Sequence, residues 1–528
     1  MKKSKTVPAV VLLAAGSGDP ELLSVRGAAL LDQADVVICD PEVSSLIAGR
    51  DVEVLDVATA PTDAAAVAKA LAEQARAGQH AVRVYAGDPV LDGRVLAEAK
   101  ALHRSRVPFE IAPCASDISG IAAYAGIGLV GSRAKRLHVV DLLAGDVDEP
   151  TLADTASTLV IRNAADSAAG LAKAALAAGR TPGTGLVVVR GGTTVEQQTI
   201  VTTLGDAAAD LKAAKLTGNG DVFIGEAVGS ATNLGWFESR PLFGWRVLVP
   251  RTKDQAGELS AQLRLFGAVP VEVPTISVEP PRTPQQMERA IEGIESGRYQ
   301  WIAFTSINAV RAIRERFEQR GLDARHLAGL KIAAIGEATA AALQDFGVRA
   351  DLLPPAEAQS SAGLLEVWPD RDPELDPIGR VFLPRADIAT ERLVAGLTEL
   401  GWEVDDITAY RTVRAAPPAA EIREAIKTGG FDAVVFTSSS TVRNLVGIAG
   451  KPHATTVIAA IGPETANTAV EHGLKVAVQP AQSKIEPLVA ALAEHGEQMR
   501  QTALDSGERT WRPSKRRGAG RRRSAAKS

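Results

Sequence analysis

At 528 residues the chain is too long for one hydrophobic core, and its 46% hydrophobic and 23% charged residues are ordinary for globular proteins. No stretch approaches the ~20 consecutive apolar residues of a membrane span, which excludes a helical membrane protein. Two cysteines, Cys39 and Cys114, exclude a disulfide framework and favour a reducing cytoplasm, although one bridge between them stays open. The net charge of −5 conceals an acidic body and a basic end, since nine Lys/Arg lie within residues 506–528.

The first predicted element is an apolar run, residues 7–15, that ends in Gly16-Ser-Gly-Asp-Pro20. This run imitates the start of a secretory signal, but a glycine-rich turn replaces the cleavage site. It therefore favours a buried strand, followed by a turn and a helix. Taken alone, such a turn is a weak indication of nucleotide or anion binding.

Three further motifs follow in order: Val82-Arg-Val-Tyr-Ala-Gly-Asp-Pro89, Tyr124-Ala-Gly-Ile127, and Gly192-Thr193 with Gln197. With them, residues 7–230 resemble the tetrapyrrole methyltransferases, above all uroporphyrinogen-III C-methyltransferase. The resemblance implies a two-lobed α/β domain that binds S-adenosylmethionine between its lobes. The cofactor-binding residues it implies are Gly16, Gly18, Asp19, Pro20, Gly87, Asp88, Pro89 and Ser116.

Several residues depart from the motifs of that family. Ala86 replaces the first Gly of Gly-Gly-Asp-Pro, Cys114 replaces the Gly of a Pro-Gly turn, and Asn163-Ala164 replaces Met-Gly. Each added Cβ intrudes where backbone should approach a ligand. Two readings stay open: a methyltransferase that makes the chain bifunctional, or a structural or substrate-handling relic.

From residue 246 onward the sequence repeats itself in four matched blocks, which indicates a duplicated α/β unit. Apolar residues at i, i+4 and i+7 predict a helix packed on a sheet, and the glycine that follows predicts its C-cap. The blocks are Arg246-Val-Leu-Val-Pro-Arg251 with Arg380-Val-Phe-Leu-Pro-Arg385; Leu259, Leu263, Phe266 and Gly267 with Leu393, Leu397, Leu400 and Gly401; Phe304-Thr-Ser306 with Phe436-Thr-Ser438; and Ile335-Gly336 and Thr339 with Ile461-Gly462 and Thr465.

The last two pairs of blocks each follow a predicted strand and begin a helix. Capping hydroxyls, free backbone N–H groups and the positive helix end favour an anion there, although any single block is also an ordinary capped helix. The sequence lacks a phosphate loop, a nucleophile elbow and paired metal-ligand spacings in this half, so we expect no metal. Its chemistry would then depend on positioning a polyanion.

About 250 residues that contain these blocks, with Ala409-Tyr-Arg-Thr412 and Ile461-Gly-Pro-Glu-Thr465, resemble uroporphyrinogen-III synthase. That family cyclises hydroxymethylbilane to the type-III isomer, with inversion of the last pyrrole ring, loss of water and no cofactor. The resemblance implies a bilobal α/β synthase with duplicated lobes. Two extended strands, near residues 273–280 and 406–412, would join the lobes.

Tyr410 lies in the second joining strand and is the catalytic residue that the resemblance implies, since a phenol can donate a hydrogen bond to the departing hydroxyl. The eight carboxylates of the substrate explain why hydroxyls and helix N-termini suffice as ligands. Arg251 and Arg385 would pair with those carboxylates or form structural ion pairs. The implied substrate-binding residues are Arg251, Thr305, Ser306, Gly336, Thr339, Arg385, Thr437, Ser438, Ser439, Gly462 and Thr465.

The predicted domains are a methyltransferase-like domain over residues 1–240, a synthase domain over 241–495, and a disordered basic tail over 496–528. Lobe one of the synthase would be 245–274 plus 413–493, and lobe two 275–412. We expect a cytoplasmic enzyme that binds hydroxymethylbilane and contacts hydroxymethylbilane synthase, without membrane or nucleic acid. The alternative is an intracellular bilobal sensor of an anion whose basic tail contacts nucleic acid.

Overall fold

The computed structural model describes residues 10–518, apart from 48–49, 51, 56–62, 133, 216–217, 252, 388–390 and 509–510. The chain divides into two compact units. The first comprises the described residues up to Arg246, Gln262–Val269 and the described part of Ala493–Arg509. The second comprises Val247–Ala261, Pro270–Leu492 and the described part of Thr510–Ser528.

The first unit contains two five-stranded sheets, ordered β3-β2-β4-β1-β5 and β6-β7-β10-β8-β9. The strands are β1 (Val10–Ala14), β2 (Val36–Cys39), β3 (Glu53–Val54), β4 (Ala81–Tyr85), β5 (Phe109–Ala112), β6 (Arg136–Asp141), β7 (Ser157–Arg162), β8 (Gly185–Arg190), β9 (Gln198–Thr203) and β10 (Gly220–Ile224). The helices are α1 (Val25–Asp32), α2 (Ala64–Arg76), α3 (Arg94–Arg104), α4 (Asp117–Ala125), α5 (Glu149–Ala153), α6 (Ala168–Ala177), α7 (Ala207–Ala214) and α8 (Ala231–Leu234).

Every residue of β1 is buried, as is every residue of its parallel neighbour β4. Continuous apolar runs of this kind form parallel sheets that helices cover on both faces. Val10 and Leu12 pack in one apolar cluster and Val11 and Leu13 in another, so β1 contributes to the core on both sides. The predicted first strand is thus confirmed from Val10 onward, and residues 7–9 of the run lie outside the described part. The second sheet is mixed, because β6 pairs parallel with β7 whereas β10 runs antiparallel to β7 and β8.

The remaining strands form two further five-stranded sheets, ordered β12-β11-β18-β19-β20 and β13-β17-β16-β14-β15. They are β11 (Arg246–Val249), β12 (Val269–Glu272), β13 (Ile276–Glu279), β14 (Trp301–Phe304), β15 (Lys331–Ala334), β16 (Arg380–Ala386), β17 (Glu403–Arg414), β18 (Ala433–Phe436), β19 (Val457–Ala460) and β20 (Val476–Val478). The helices are α9 (Lys253–Leu265), α10 (Pro284–Glu295), α11 (Ile307–Gln319), α12 (Glu337–Phe346), α13 (Ser361–Val367), α14 (Arg392–Glu399), α15 (Ala420–Thr428), α16 (Ser439–Ala449), α17 (Pro463–Glu471) and α18 (Ile485–Asp505).

The duplication predicted from the sequence is confirmed by these two sheets. The order β14, α11, β15, α12 in one sheet repeats as β18, α16, β19, α17 in the other. Gly267 and Gly401, the predicted C-caps, have φ of +88° and +87°, a conformation that glycine adopts without strain. The long strand β17 pairs parallel with β16 up to Tyr410 and then antiparallel with β13, so β13 and β17 supply the two extended strands.

The end of the chain corrects the predicted tail. Helix α18 continues to Asp505, so residues 496–505 are helical, and Ala503 on this helix is fully buried. A short 3-10 helix follows at Pro513–Gly518, where the Ser514 N–H donates to the buried Asp432 carboxylate at 2.8 Å. A backbone donor needs no sequence signature, so composition could not reveal this contact. The predicted tail at 519–528 lies outside the described residues. Among the described helices, none is both long and apolar enough to cross a membrane.

Candidate active site

Ser306 and Ser438 begin corresponding helices of the two duplicated sheets. The Ser306 Oγ accepts a hydrogen bond from the Ala309 N–H at 3.1 Å as the N-cap of α11. The Ser438 Oγ accepts one from the Thr441 N–H at 3.3 Å as the N-cap of α16. The preceding residues, Thr305 and Thr437, are half-buried. Both predicted hydroxyl blocks therefore lie at helix N-termini, where N–H groups remain for an anion.

Gly336 and Gly462 are the N-cap residues of α12 and α17. Because β15 pairs with β14 and β19 with β18, each glycine lies at the same sheet edge as the serine of its repeat. Thr339 and Thr465 are buried within the first turns of their helices. Each sheet thus presents two neighbouring helix N-termini at the carboxyl ends of its strands, the usual position of ligand sites in α/β folds.

Gln359 was not found by sequence reasoning, yet its side chain lies at one of these N-termini. Its Oε1 accepts a hydrogen bond from the Glu337 N–H at 3.3 Å, and a Cβ on Gly336 would lie 2.6 Å from that oxygen. The residue lies 13 positions after the end of α12 and belongs to no repeat block, so no pattern marks it. An anion at Gly336 would take the position that this amide oxygen holds.

Tyr410 contacts the first of the capping serines. Its Oη lies 2.9 Å from the Ser306 Oγ, although the two residues are 104 positions apart. The pairing of β16 with β17 shifts register at this point, so that Ala386 stands opposite Tyr410 rather than Ala409. Such a bulge re-aims the side chain that follows it. Tyr410 is only 7% exposed and packs in the apolar cluster of α11 and β14, which holds its ring in place.

The two arginines of the repeat differ in their surroundings. Arg385 forms an ion pair with Asp406 on the neighbouring strand β17, through both Nε and Nη2. This contact agrees with the alternative in which Arg385 forms a structural ion pair rather than binding a substrate carboxylate. Arg251 follows β11, and its burial lowers the pKa of the guanidinium below the ordinary value, although attraction to Glu258 raises it in part.

Ser439, another predicted ligand, donates to the Glu464 carbonyl at 3.2 Å and so connects α16 with α17.

In the first unit, the structure brings together the glycine-rich loops predicted from the sequence. Gly16 and Gly87 exchange backbone hydrogen bonds of 3.2 and 2.9 Å, with φ of +77° and +75°. The Asp19 N–H donates to Thr193 Oγ1, and the Tyr124 hydroxyl donates to Asp19 Oδ2 at 2.6 Å. Pro20 follows Asp19 in a 3-10 turn, Asp88 and Pro89 follow Gly87, and Ser116 is the N-cap residue of α4.

A cluster of charged residues next to these loops was not predicted. Asp117, the first residue of α4, pairs with Arg162, the last residue of β7, at 2.7 Å. The Asp221 carboxylate lies nearby and accepts from the Asn163 N–H at 3.1 Å. Burial raises the pKa of Asp221 to about 6, with Arg162 opposing the shift. Both cysteines are free, and burial raises the pKa of Cys114 to about 11.

The raised pKa of Asp221 predicts a pH-dependent stability. A raised folded-state pKa means that protonation stabilises the fold fully below its ordinary pKa of 3.8, and this stabilisation is lost as the pH rises through about 6. We expect this group alone to lower the free energy of unfolding by up to about 3 kcal/mol between those limits. Urea denaturation at several pH values should show a flatter dependence for Asp221→Asn than for the natural chain. Asp166→Asn removes an exposed acceptor nearby and should leave the pH dependence of the natural chain unchanged. Equal slopes for the natural chain and both variants would contradict the raised pKa of Asp221.

The chain is similar to known proteins in both of its parts. Residues 257–490 match the family described as Uroporphyrinogen-III synthase HemD, and residues 9–208 match Tetrapyrrole (Corrin/Porphyrin) Methylases. A porphyrin biosynthesis protein HemD of Ruminiclostridium josui is 29% identical over 501 residues, 92% of this chain and 98% of that protein. A siroheme synthase of Azotobacter vinelandii is 32% identical over 248 residues, 45% of this chain and 53% of that protein.

Among solved structures, a uroporphyrin-III C-methyl transferase of Thermus thermophilus, complexed with S-adenyl homocysteine, is 27% identical. The match covers 41% of this chain and 97% of the transferase chain, with a TM-score of 0.36. The two family matches make the chain a two-part α/β protein of tetrapyrrole biosynthesis. Its residues 257–490 are similar to the uroporphyrinogen-III synthase family, and residues 9–208 to the tetrapyrrole methylase family. Among the described residues, no group of three or more His, Cys, Asp or Glu side chains is arranged to hold a metal ion.

Proposed function

We propose that the second unit cyclises hydroxymethylbilane to uroporphyrinogen III. The observation that carries the proposal is the contact of Tyr410 Oη with Ser306 Oγ, because it places a phenol beside a helix N-terminus. A helix N-terminus binds a carboxylate of the substrate, and the phenol is then within reach of the substrate's reacting end. The match of residues 257–490 to the synthase family supports the same conclusion.

In this proposal the neighbouring helix N-termini at Ser306 and Gly336, and those at Ser438 and Gly462, hold substrate carboxylates. Backbone N–H groups suit this task because they are fixed before the substrate arrives. At Gly336 the carboxylate would displace the Gln359 side chain from the Glu337 N–H. The buried threonines Thr339 and Thr465 support the first turns of two of these helices. Arg251, which follows β11, is a cationic ligand in this proposal, whereas Arg385 forms the ion pair with Asp406.

Tyr410 acts on the leaving hydroxyl. Its O–H donates a hydrogen bond to that oxygen as the carbon–oxygen bond breaks, and the hydroxyl leaves as water. A new carbon–carbon bond closes the macrocycle. Because the last pyrrole ring is inverted in the type-III isomer, the bond between that ring and its original bridging carbon breaks and re-forms at the ring's free position. The proton lost from that position balances the one that the hydroxyl takes up. Ser306 can accept from the Tyr410 O–H or donate to it, so it orients the phenol before the substrate binds.

The test is the isomer that the full chain produces from freshly made hydroxymethylbilane. We expect type-III product, resolved from type-I by chromatography after oxidation, at a rate above that of the chain-free reaction. Type-I product alone, at the spontaneous rate, would show that the second unit is not a synthase. The contact with hydroxymethylbilane synthase and the cytoplasmic location stay predictions. The two free cysteines support the latter.

A further inference from the structure

The ion pair between Asp117 and Arg162 lies where the methylase family implies a cofactor. Asp117 begins α4, which follows the first sheet of the first unit, and Arg162 ends β7 in the second sheet. Their side chains are 7% and 13% exposed and 2.7 Å apart. Helix α4 itself packs on the second sheet, so the pair lies at the carboxyl end of β7 between that sheet and the Gly87 loop of the first sheet.

The Asp117 carboxylate rests directly on the Gly87 loop. A Cβ added to Gly87 would lie 3.1 Å from Asp117 Oδ2 and 4.0 Å from an Arg162 guanidinium nitrogen. Glycine serves such loops by letting a ligand approach the bare backbone. Here a side chain of the protein occupies that space. Cys114 adds to the filling, since its Sγ lies 3.9 Å from the Gly87 carbonyl oxygen.

Charge also opposes a ligand at this position. S-adenosylmethionine carries a sulfonium, and a cation placed beside the Arg162 guanidinium would be repelled. Separating Asp117 from Arg162 to make room would leave the buried Asp117 carboxylate without its cation, which is costly in the protein interior, whereas Arg162 would retain Asp141 at 3.6 Å. Burial already raises the pKa of Asp117, and Arg162 is the charge that opposes this rise. The residues present at the Gly87 loop therefore do not fit the cofactor.

We propose that the Asp117–Arg162 pair closes the cofactor site, so that the first unit binds no S-adenosylmethionine and is a structural module fastened by this pair. The Asp117 carboxylate accepts from the Asp88 backbone next to β4 and pairs with Arg162 at the end of β7, so it connects the first sheet of the unit to the second, as a ligand between the two lobes otherwise would. The inference is independent of the proposed synthase activity, which rests on the second unit.

The first test is calorimetric titration of the full chain with S-adenosylmethionine up to ~1 mM, a range that detects weak binding. We expect no saturable heat and no change in the thermal unfolding midpoint at the highest concentration, because a ligand that binds only the folded state raises it. The uroporphyrin-III C-methyl transferase of Thermus thermophilus, titrated in parallel, shows that the ligand is intact. Saturable binding by this chain in that range would overturn the proposal.

The second test addresses the fastening role. Arg162→Met leaves the buried Asp117 carboxylate without its cation and should lower the unfolding midpoint by roughly 6–15 °C. Asp117→Asn should lower it by less, because Arg162 retains Asp141 at 3.6 Å. The double variant should recover part of that loss, since neither charge remains. Asp206→Asn, an exposed acceptor of the Thr203 hydroxyl, is the matched control and should melt with the natural chain. Single variants that melt at the natural midpoint would refute the fastening role; if they fail to fold, the titration still decides whether the site is closed.

Discussion

Tyr410→Phe is expected to lower the turnover number for ring closure by on the order of 10²-fold, the lower end of what positioned proton donors contribute. The Michaelis constant should change little, because the helix N-termini that hold the carboxylates remain in place. The ring still fills its place in the apolar cluster, so the fold should be retained. Initial rates of type-III formation over a range of hydroxymethylbilane concentrations separate the two parameters.

Two further variants make this result specific. Tyr299→Phe removes a buried phenol that donates to Asp405 Oδ2 at 2.7 Å. Tyr299 precedes β14, so it lies at the opposite end of that strand from Ser306. It should leave the turnover number unchanged, while Ser306→Ala should lower it because the phenol loses its hydrogen-bond partner. If Tyr410→Phe turns over as fast as the natural chain, the role given to Tyr410 is wrong.

Arg83→Met is expected to lower the free energy of unfolding by about 3–5 kcal/mol, the usual result of removing one partner from a buried ion pair. Arg83 is 1% exposed and its guanidinium lies between the carboxylates of Asp40 and Glu98, both also buried. Burial raises the pKa of Asp40, but Arg83 and the Ala86 N–H outweigh it, so this pKa lies below its ordinary value. Burial keeps the pKa of Glu98 raised. Urea denaturation of the full chain measures the loss.

The pH dependence of this variant distinguishes an electrostatic loss from a packing loss. Asp40 keeps Arg94 as a partner at 2.7 Å, whereas Glu98 loses its cation and retains the Tyr85 hydroxyl. Since protonated Glu98 needs no counter-charge, the deficit should shrink as the pH falls. Arg136→Met breaks the exposed pair with Asp154 and should cause no measurable loss. A deficit that is the same at every pH would assign the effect to packing.

The duplicated half could be predicted closely because its signals are local. Helix faces repeat every three to four residues, capping serines stand beside the N–H groups they serve, and a C-cap glycine follows its own helix. Ser306, Ser438 and the two glycines Gly267 and Gly401 therefore occupy the positions expected of them. The predicted tail missed the helical continuation to Asp505, because the basic run that indicates disorder begins only after that residue.

The amino-acid sequence by itself determined the two-part organisation, the duplication and the candidate helix N-termini of this protein, because each depends on neighbours along the chain. Only the tertiary structure decided that Tyr410 meets Ser306, that Gln359 caps α12, and that Arg385 is paired with Asp406. It also placed Asp117 and Arg162 against the Gly87 loop, although neither residue is among the departures from the family motifs. The physical reason is the same in each case: strand pairing and packing choose partners that lie far apart in the chain, and no periodicity in the sequence records that choice.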